Sequence, residues 1–341
     1  MKLLQDELVK GGLDCAIFVT YEKVNPNLFY LTGYSGSGFL VVLADGEKML
    51  HVPSRDLSLA KKVKGVVVSS GKKLSEVLSS KGISIKKAGI DFANISVLDF
   101  NNLKERLNCD FVDVGGFMED LRMVKSSDEV DLIRKACLIT DEIFGEFVSE
   151  FKKFSTEEDA VAFLVYEIRK RGCGVAFEPI VATGKNAAVP HHNSCGKIMN
   201  GFCVVDFGVT FKGYCSDVTR TFYVGKPSNV EKKIYHDLFD AQIRAISLVK
   251  PGVLINDVSV ESEKITGTLI HSLGHGLGIE VHEKPFVSKE AKICFREGMI
   301  VTIEPGVYVS GKYGLRIEDD VLVTASGAEV LSKFSKELIC V

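Results

Sequence analysis

Acidic residues form two pairs in the C-terminal half of the chain, each placed about a predicted β-turn. In CVVDFGVTFKGYCSDVTRTF, a two-residue loop at 211–212 would bring Asp206 directly opposite Asp217 across a hairpin. Cβ atoms of such a pair lie ~4.5–5.5 Å apart, and like charges at that distance destabilise a pair of strands. We therefore expect a cation between the two carboxylates.

The second acidic pair repeats this arrangement in MIVTIEPGVYVSGKYGLRIEDDVLV. Glu304 and Glu318 stand symmetrically about Gly311, so a three-residue loop would make them cross-strand neighbours, unless Pro305 forces a bulge and shifts the register. Solvated acids on surface hairpins are the alternative, but the flanking runs VVDFG and IVTIEPG are apolar. Four carboxylates carry enough charge for two divalent ions that share bridging ligands.

Histidine is concentrated in one glycine-rich stretch, HSLGHGLGIEVHE at 271–283. Its glycines disfavour a helix, so we expect a tight loop and then a strand from Gly278 that places Glu280 and His282 on one face. His275 would complete the metal set, because carboxylate oxygens with one imidazole suit Mn²⁺, Co²⁺ or Zn²⁺. His282 would then meet the substrate.

The other histidines lie outside this stretch. His191 and His192 follow Pro190 in the loop NAAVPHHNS, which makes them further candidates for the site. His51 and His236 have no such neighbours, so we assign them structural roles.

Helical segments with capping signals precede each hairpin. Ser126 with Glu129, and the run Ser155–Glu158, have the form of capping boxes that begin a helix. The order helix, helix, strands occurs twice, which predicts a duplicated unit. The predicted helices span 128–151, 156–171, 228–249 and 256–268.

Residues 1 to about 120 show a different pattern. Short apolar or β-branched runs such as CAIFVT, FLVVL and KMLHV alternate with helix-like stretches such as SVLDFNNLKERL. This alternation predicts a small α/β domain, with a boundary near 121–127.

Composition excludes several classes of protein. The chain has 341 residues, 46% hydrophobic and 26% charged, with a net charge of -3 and no basic block, so neither nucleic acid nor an anionic membrane surface is an expected partner. No run approaches the ~20 apolar residues of a transmembrane helix. The nine cysteines contain no C-x-x-C pair, and we interpret them as reduced, mostly buried thiols of a cytoplasmic protein.

Together these motifs resemble the pita-bread metallopeptidases, and within them the Xaa-Pro peptidases, aminopeptidase P and prolidase. The matching pieces are FEPIVATGKNAAVPHH, VVDFGVTFKGYCSDVTRTF, HSLGHGLGIEVHE, GMIVTIEPGVYV and GLRIEDDVLV, which cover most of residues 123–341. The resemblance implies an α+β chain, with a catalytic pita-bread domain at 123–341 and a smaller creatinase-type α/β domain at 1–122. In the smaller domain, YLTGYSGSGFLVVL followed by SRD is more similar to short bacterial aminopeptidase P-like chains than to dipeptidases.

The resemblance also implies roles for the residues of the site. His191 and His282 would hold the substrate and stabilise the tetrahedral intermediate, and Glu304 would act as a proton shuttle as well as a ligand. Two divalent ions, Mn²⁺ before Co²⁺ or Zn²⁺, would share Asp217 and Glu318 as bridges. The implied metal ligands are Asp206, Asp217, His275, Glu304 and Glu318. The implied substrate-binding residues are His271, Tyr308 and Arg316.

The implied activity is hydrolysis of the bond between an N-terminal residue and proline, by an Xaa-Pro aminopeptidase. Three alternatives stay open: an Xaa-Pro dipeptidase, a non-catalytic relative that binds peptides or proteins, and, ranked last, hydrolysis of a non-peptide amidine. The expected partners are small peptides with proline at the second position, and the expected assembly is a homodimer.

Overall fold

The computed structural model describes residues 2–21, 23–267 and 269–341. The chain divides into two compact units, Met1–Arg122 and Met123–Val341. None of the described helices is long and apolar enough to cross a membrane. The cysteines are free, and most are buried as predicted; the buried ones are Cys15, Cys137, Cys173, Cys203 and Cys215.

The first unit is a mixed sheet with helices, as its alternating sequence pattern predicts. Its strands are β1 (Cys15–Thr20), β2 (Gly38–Leu43), β3 (Lys48–Val52), β4 (Val67–Ser70), β5 (Lys87–Ile90) and β6 (Asp110–Asp113). Its helices are α1 (Lys2–Lys10), α2 (Pro26–Thr32), α3 (Leu57–Ala60), α4 (Leu74–Ser80), α5 (Val97–Arg106) and α6 (Gly115–Met123). The strand order is β4-β3-β2-β1-β5-β6, with β1 antiparallel to β2 and parallel to β5.

Four helices of the second unit lie close to their predicted positions. They are α7 (Ser127–Glu150), α8 (Glu157–Lys170), α9 (Asn229–Leu248) and α10 (Ile255–Thr266). Ser126 and Glu129 form the predicted capping box of α7, while α8 begins with a box formed by Thr156 and Asp159. Residue 268, the last of the predicted fourth helix, lies outside the described residues.

The strands of the second unit fall into four small sheets. They are β7 (Gly174–Val175), β8 (Ile180–Thr183), β9 (Gly201–Phe207), β10 (Val209–Phe211), β11 (Tyr214–Cys215), β12 (Val218–Val224), β13 (Gly274–Gly276), β14 (Glu283–Val287), β15 (Ile300–Ile303), β16 (Gly306–Val309), β17 (Tyr313–Arg316), β18 (Asp319–Thr324) and β19 (Gly327–Val330). The orders are β11-β10-β7, β12-β9-β8, β14-β13-β15-β18-β19 and β16-β17.

Each half of the second unit buries a pair of helices against its strands, in agreement with the predicted repetition. The core of the first half joins α7 and α8 to β9 and β12, and includes Phe147, Leu164, Val205 and Phe222. The core of the second half joins α9 and α10 to β15 and β18, and includes Ala245, Val258, Val301 and Val321. Because side chains alternate along a strand, Val205 faces the helices and Asp206 faces the opposite side of the sheet.

The first acidic hairpin has a different register from the predicted one. Its two-residue loop is Lys212-Gly213, one residue further along, and both residues have positive φ, 49° and 88°, as a type I′ turn requires. Asp206 therefore pairs with Thr219, and the predicted direct pairing with Asp217 is wrong. The shift moves the partner by two residues, so Asp217 remains on the same face as a diagonal neighbour.

The second acidic hairpin has the predicted register. Gly306 pairs with Arg316 on one side of the acids, and Ile303 pairs with Asp319 on the other. This constant register places Glu304 level with Glu318, and Pro305 causes no shift. The symmetrical arrangement about a three-residue loop is confirmed.

The glycine-rich stretch forms a strand earlier than predicted. Its strand is β13, at Gly274–Gly276, whereas residues 278–282 form bends and the next strand starts at Glu283. The predicted strand from Gly278 is therefore wrong. A Cβ at Gly276 would lie 2.3 Å from the carbonyl oxygen of Lys284, so the missing side chain allows a close approach of the neighbouring strand.

Candidate active site

Three carboxylates meet on the side of the sheets that faces away from the helices. One oxygen each from Asp206, Asp217 and Glu318 lies within 4.8 Å of the other two. Donor atoms of His275 and Glu304 form a second group of the same dimensions with Glu318. The five residues predicted as metal ligands thus form two overlapping groups that share Glu318.

The imidazole of His275 directs a lone pair at this cluster. Its Nδ1 lies 3.1 Å from the carbonyl oxygen of Gly276, which can only accept, so Nδ1 carries the proton. The unprotonated Nε2 lies 3.5 Å from Asp217 Oδ2 and 3.4 Å from Glu304 Oε1. Burial lowers the pKa of His275 to about 4, which keeps the ring neutral and able to bind a metal.

Electrostatic repulsion within the cluster is strong. Burial raises the pKa of Asp217 and of Glu318 well above the usual carboxyl range, and the neighbouring carboxylates raise both further. Burial also raises the pKa of Glu304 to about 7, although Arg316 lowers it. Such a cluster is ionised at neutral pH only if additional positive charge binds to it.

The donor set fits divalent metal ions. Asp206 Oδ1 is buried and has no hydrogen-bond partner among the described residues, an unusual condition for a carboxylate oxygen. The Nε2 lone pair of His275 faces carboxylate oxygens, which is unfavourable unless a cation lies between them. Hard oxygens with one imidazole suit Mn²⁺, Co²⁺ or Zn²⁺.

Arg316 orients the acids by direct contact. Its Nη2 donates to Asp206 Oδ2 at 2.5 Å, and its Nε donates to Thr219 Oγ1 at 3.0 Å. The hydroxyl of Thr219 in turn donates to Glu318 Oε2 at 2.6 Å. Arg316 Nη1 donates to Tyr308 Oη at 2.9 Å, and that oxygen lies 3.2 Å from His271 Nε2.

A cavity of about 340 Å³ opens over the carboxylates. It is lined by the five predicted metal ligands together with His191, His271, His282 and Arg316. Tyr308 is not a lining residue, but its hydroxyl contacts Arg316 and His271, which are. The rings of His275 and His282 meet edge to face, with centroids 4.3 Å apart. A nitrogen of His282 also lies within 4.8 Å of donor atoms of Asp217 and His275, so His282 could itself reach a metal.

Several residues around the site were not identifiable from the sequence. Asp320 Oδ2 accepts from the backbone N–H of Asp217 at 3.0 Å, and Thr302 Oγ1 accepts from the backbone N–H of His275 at 3.1 Å. In the sequence, only the acidic run EDD indicated that Asp320 could lie at the site, and no pattern indicated Thr302. The cavity also has an apolar wall, which no motif indicates; it includes Phe177, Ile180, Val281 and Phe286.

Comparison with protein families identifies the chain. The profile of metallopeptidase family M24 matches residues 131–325, more than half of the chain, and that of the creatinase/prolidase N-terminal domain matches residues 1–124. The chain belongs to metallopeptidase family M24. The predicted family and the predicted enzyme class are thereby confirmed.

Individual relatives of this M24 metallopeptidase match along its whole length. It is 34% identical to the Xaa-Pro dipeptidase of Pyrococcus furiosus, over 99% of this chain and 100% of that protein. The crystal structure of the prolidase from Pyrococcus horikoshii superposes with a TM-score of 0.91 at 32% identity, with 99% of each chain covered. The X-Pro aminopeptidase from Thermotoga maritima superposes with a TM-score of 0.89 at 30% identity, covering 99% of this chain and 100% of that one.

These likenesses confirm the predicted fold. The chain combines a creatinase-type N-terminal domain with an M24 domain of the pita-bread fold, and both contain helices and sheets. Membership of this family also implies a divalent metal centre, for which the cluster around Glu318 offers suitable donors.

Proposed function

We propose that this M24 metallopeptidase hydrolyses the peptide bond that precedes proline, using two divalent metal ions. The observation that carries the proposal is the convergence of acidic and imidazole donors in two groups that share Glu318. A shared carboxylate is what a dinuclear centre requires. Mn²⁺ is our first choice of metal, with Co²⁺ and Zn²⁺ as alternatives. The proposed ligands are Asp206, Asp217, His275, Glu304 and Glu318.

The dipeptidase form of this activity has better support than the aminopeptidase form favoured by the N-terminal motif. Relatives named Xaa-Pro dipeptidase or prolidase match the chain from end to end. The cavity of about 340 Å³ is near the lower limit of small-ligand sites, which suits a dipeptide. The aminopeptidase form is a second candidate, because the X-Pro aminopeptidase of Thermotoga maritima is nearly as similar in structure.

Two divalent ions, when bound, would supply a water molecule of lowered pKa and polarise the scissile carbonyl. His282 and His191 would donate to the carbonyl oxygen as it becomes negatively charged, a contribution of about 2.7–4 kcal/mol for one well-placed donor. Burial lowers the pKa of His282, so its neutral ring offers one N–H at neutral pH.

Glu304 would transfer the proton of the attacking water to the leaving nitrogen. The nitrogen of a peptide-bonded proline carries no hydrogen, so bond cleavage requires a proton donor. The carboxylate of Glu304 belongs to the donor group around Glu318 and lines the cavity, so it lies close to where both the water and the substrate would bind.

Peptide cleavage tests the proposal. The metal-stripped protein would be incubated with Ala-Pro, Ala-Pro-Ala and Ala-Ala after addition of Mn²⁺, Co²⁺ or Zn²⁺. We expect hydrolysis of Ala-Pro and none of Ala-Ala. Cleavage of Ala-Pro-Ala alone would favour the aminopeptidase form, and no cleavage of either proline peptide with any metal would refute the proposal.

A homodimer and a cytoplasmic location are proposed with this function. The resemblance noted in the sequence supports the dimer, and nine free cysteines suit a reducing compartment. Analytical ultracentrifugation at micromolar concentration would test the first, since a monomer would contradict it. Localisation of the tagged protein in cells would test the second.

A further inference from the structure

A buried carboxylate outside the metal cluster organises the loop that carries His191. Glu157 is the first residue of α8, and it is fully buried although its side chain is acidic. An ionised carboxylate is retained in such a place only when its oxygens are satisfied by donors. Its position in the first turn of the helix is also favourable for a negative charge.

Among the described residues, the hydrogen-bond partners of the Glu157 carboxylate belong to the segment 183–195. Its Oε1 accepts from the backbone N–H and the hydroxyl of Thr183, at 2.6 and 2.8 Å. Its Oε2 lies 2.8 Å from His192 Nε2 and accepts from the backbone N–H of Cys195 at 3.0 Å. The amide of Asn186 reaches both oxygens, at 3.2 and 3.1 Å.

These contacts fix both ends of the loop and the residue next to His191. Thr183 closes strand β8, and Cys195 lies at the far end of the segment. His192 Nε2 must carry its proton to donate to a carboxylate, which fixes one tautomer. The backbone of Glu157 adds a further contact, because its N–H donates to the carbonyl oxygen of Gly196 at 2.9 Å.

His191 uses the fixed loop to reach the cavity. It lines the same cavity as Asp206 and His282, and its own side chain is exposed. The position of His191 therefore depends on the backbone that Glu157 holds.

We propose that Glu157 is a positioning residue for His191: its carboxylate fixes the loop at 183–195 so that the imidazole of His191 faces the substrate. Glu157 does not touch the cavity and acts through the loop alone. The part of this inference that concerns catalysis rests on the proposed function, whereas the part that concerns the place of His191 does not.

A double-mutant cycle separates positioning from a general effect on folding. Glu157→Gln replaces one carboxylate oxygen with an NH₂ group. The remaining oxygen can still accept hydrogen bonds, but the NH₂ group would face donors with which it cannot pair. We expect kcat/KM for Ala-Pro to fall about 100-fold, the size typical of a misplacement near 1 Å. In a His191→Ala background the same substitution should have almost no further effect. Equal losses in both backgrounds would overturn the proposal.

A second substitution covers the case in which Glu157→Gln does not fold. His192→Ala removes one donor whose side chain is 12% exposed, and we expect it to fold. Its effect on kcat/KM should be smaller and should again vanish in the His191→Ala background. The matched control is Glu158→Gln, the neighbouring acid, whose carboxylate accepts from the N–H of Gly196 at 2.9 Å; this variant should behave as wild type.

Imidazole NMR gives a result that does not depend on turnover. With labelled histidine, the signals of His191 can be assigned by its own substitution among the seven histidines. We expect Glu157→Gln to move these signals and Glu158→Gln to leave them in place. Unchanged His191 signals in Glu157→Gln would overturn the proposal. If the wild type cleaves no proline peptide but the signals move, the proposed function fails and the positioning stands.

Discussion

The guanidinium of Arg316 donates from Nη2 to Asp206 Oδ2 at 2.5 Å, while the second oxygen of the same carboxylate, Oδ1, is buried without a hydrogen-bond partner among the described residues. One oxygen of Asp206 is thus held by the protein and the other is available to a ligand. The same guanidinium contacts Thr219 and Tyr308, so it connects three parts of the site. Removal of this contact should affect metal binding more than folding.

Arg316→Lys tests that connection. A lysine has a single ammonium and cannot make the three separate contacts of the guanidinium. We expect Mn²⁺ affinity and kcat/KM to fall about 10- to 100-fold, as is typical when a partner of a metal ligand is lost. Isothermal titration with Mn²⁺ measures the first effect. Arg244→Lys, on the exposed face of α9, is the matched control and should leave the affinity unchanged.

The hydroxyl of Thr219 supports Glu318 from within the sheet. Thr219→Val keeps the shape of the side chain but removes its bonds to Glu318 and Arg316. We expect a loss of about 1–3 kcal/mol in the free energy of unfolding and weaker Mn²⁺ binding. Thr221→Val is the control, since the hydroxyl of Thr221 bonds to the backbone of Arg316 and not, among the described residues, to a carboxylate of the cluster. Equal loss of Mn²⁺ affinity in both variants would contradict a specific role for Thr219.

His282 should contribute to catalysis more than to metal loading. In His282→Ala we expect kcat to fall about 10²–10³-fold, the usual effect of removing one donor to a developing oxyanion. Metal content by mass spectrometry should stay at the wild-type value. His236→Ala, an exposed histidine of α9, should retain full activity. Loss of metal in His282→Ala would instead identify this residue as a ligand.

Removal of metal should make stability depend on pH in a defined direction. Burial raises the pKa of Glu304 to about 7 and that of Asp320 to about 8, against about 4 for carboxyls in an unfolded chain. The folded protein therefore holds protons that the unfolded chain has released, so the free energy of unfolding falls as pH rises. Histidines with lowered pKa act in the opposite direction below about pH 6.5, so the relevant window is roughly pH 6.5–8.

Thermal unfolding of the metal-stripped protein checks this direction. We expect a lower Tm at pH 8 than at pH 6.5, and a smaller difference after addition of Mn²⁺, because the ion replaces the proton at Glu304. A Tm that rises with pH in the stripped protein would show that the carboxyl cluster is not buried as described.

Local sequence signals were sufficient where chain geometry leaves little freedom. Gly311 at the centre of a three-residue loop fixed the register of the second hairpin, and Ser126 with Glu129 fixed the start of α7. In the first hairpin, Lys212 has a positive φ, and a lysine in the sequence does not predict that conformation. The observed partner of Asp206 lies two residues from the predicted one, so the alternation of side chains kept Asp217 on the predicted face.

Long-range contacts explain what the sequence did not reveal. Gly276 lies close to the carbonyl oxygen of Lys284 on the neighbouring strand, a contact that no local pattern encodes. Glu157 has the appearance of an ordinary acid in the first turn of a helix, and its burial becomes evident only when the segment 183–195 folds onto it. The donors around the carboxylates were hidden for the same reason.

Anomalous diffraction from crystals grown with Mn²⁺ tests the central claim most directly. The account predicts two peaks in the second unit, both within bonding distance of Asp217 and Glu318, with Asp206 beside one peak and His275 and Glu304 beside the other. Peaks at other residues, or a folded protein that binds no Mn²⁺ at these five side chains, would contradict it.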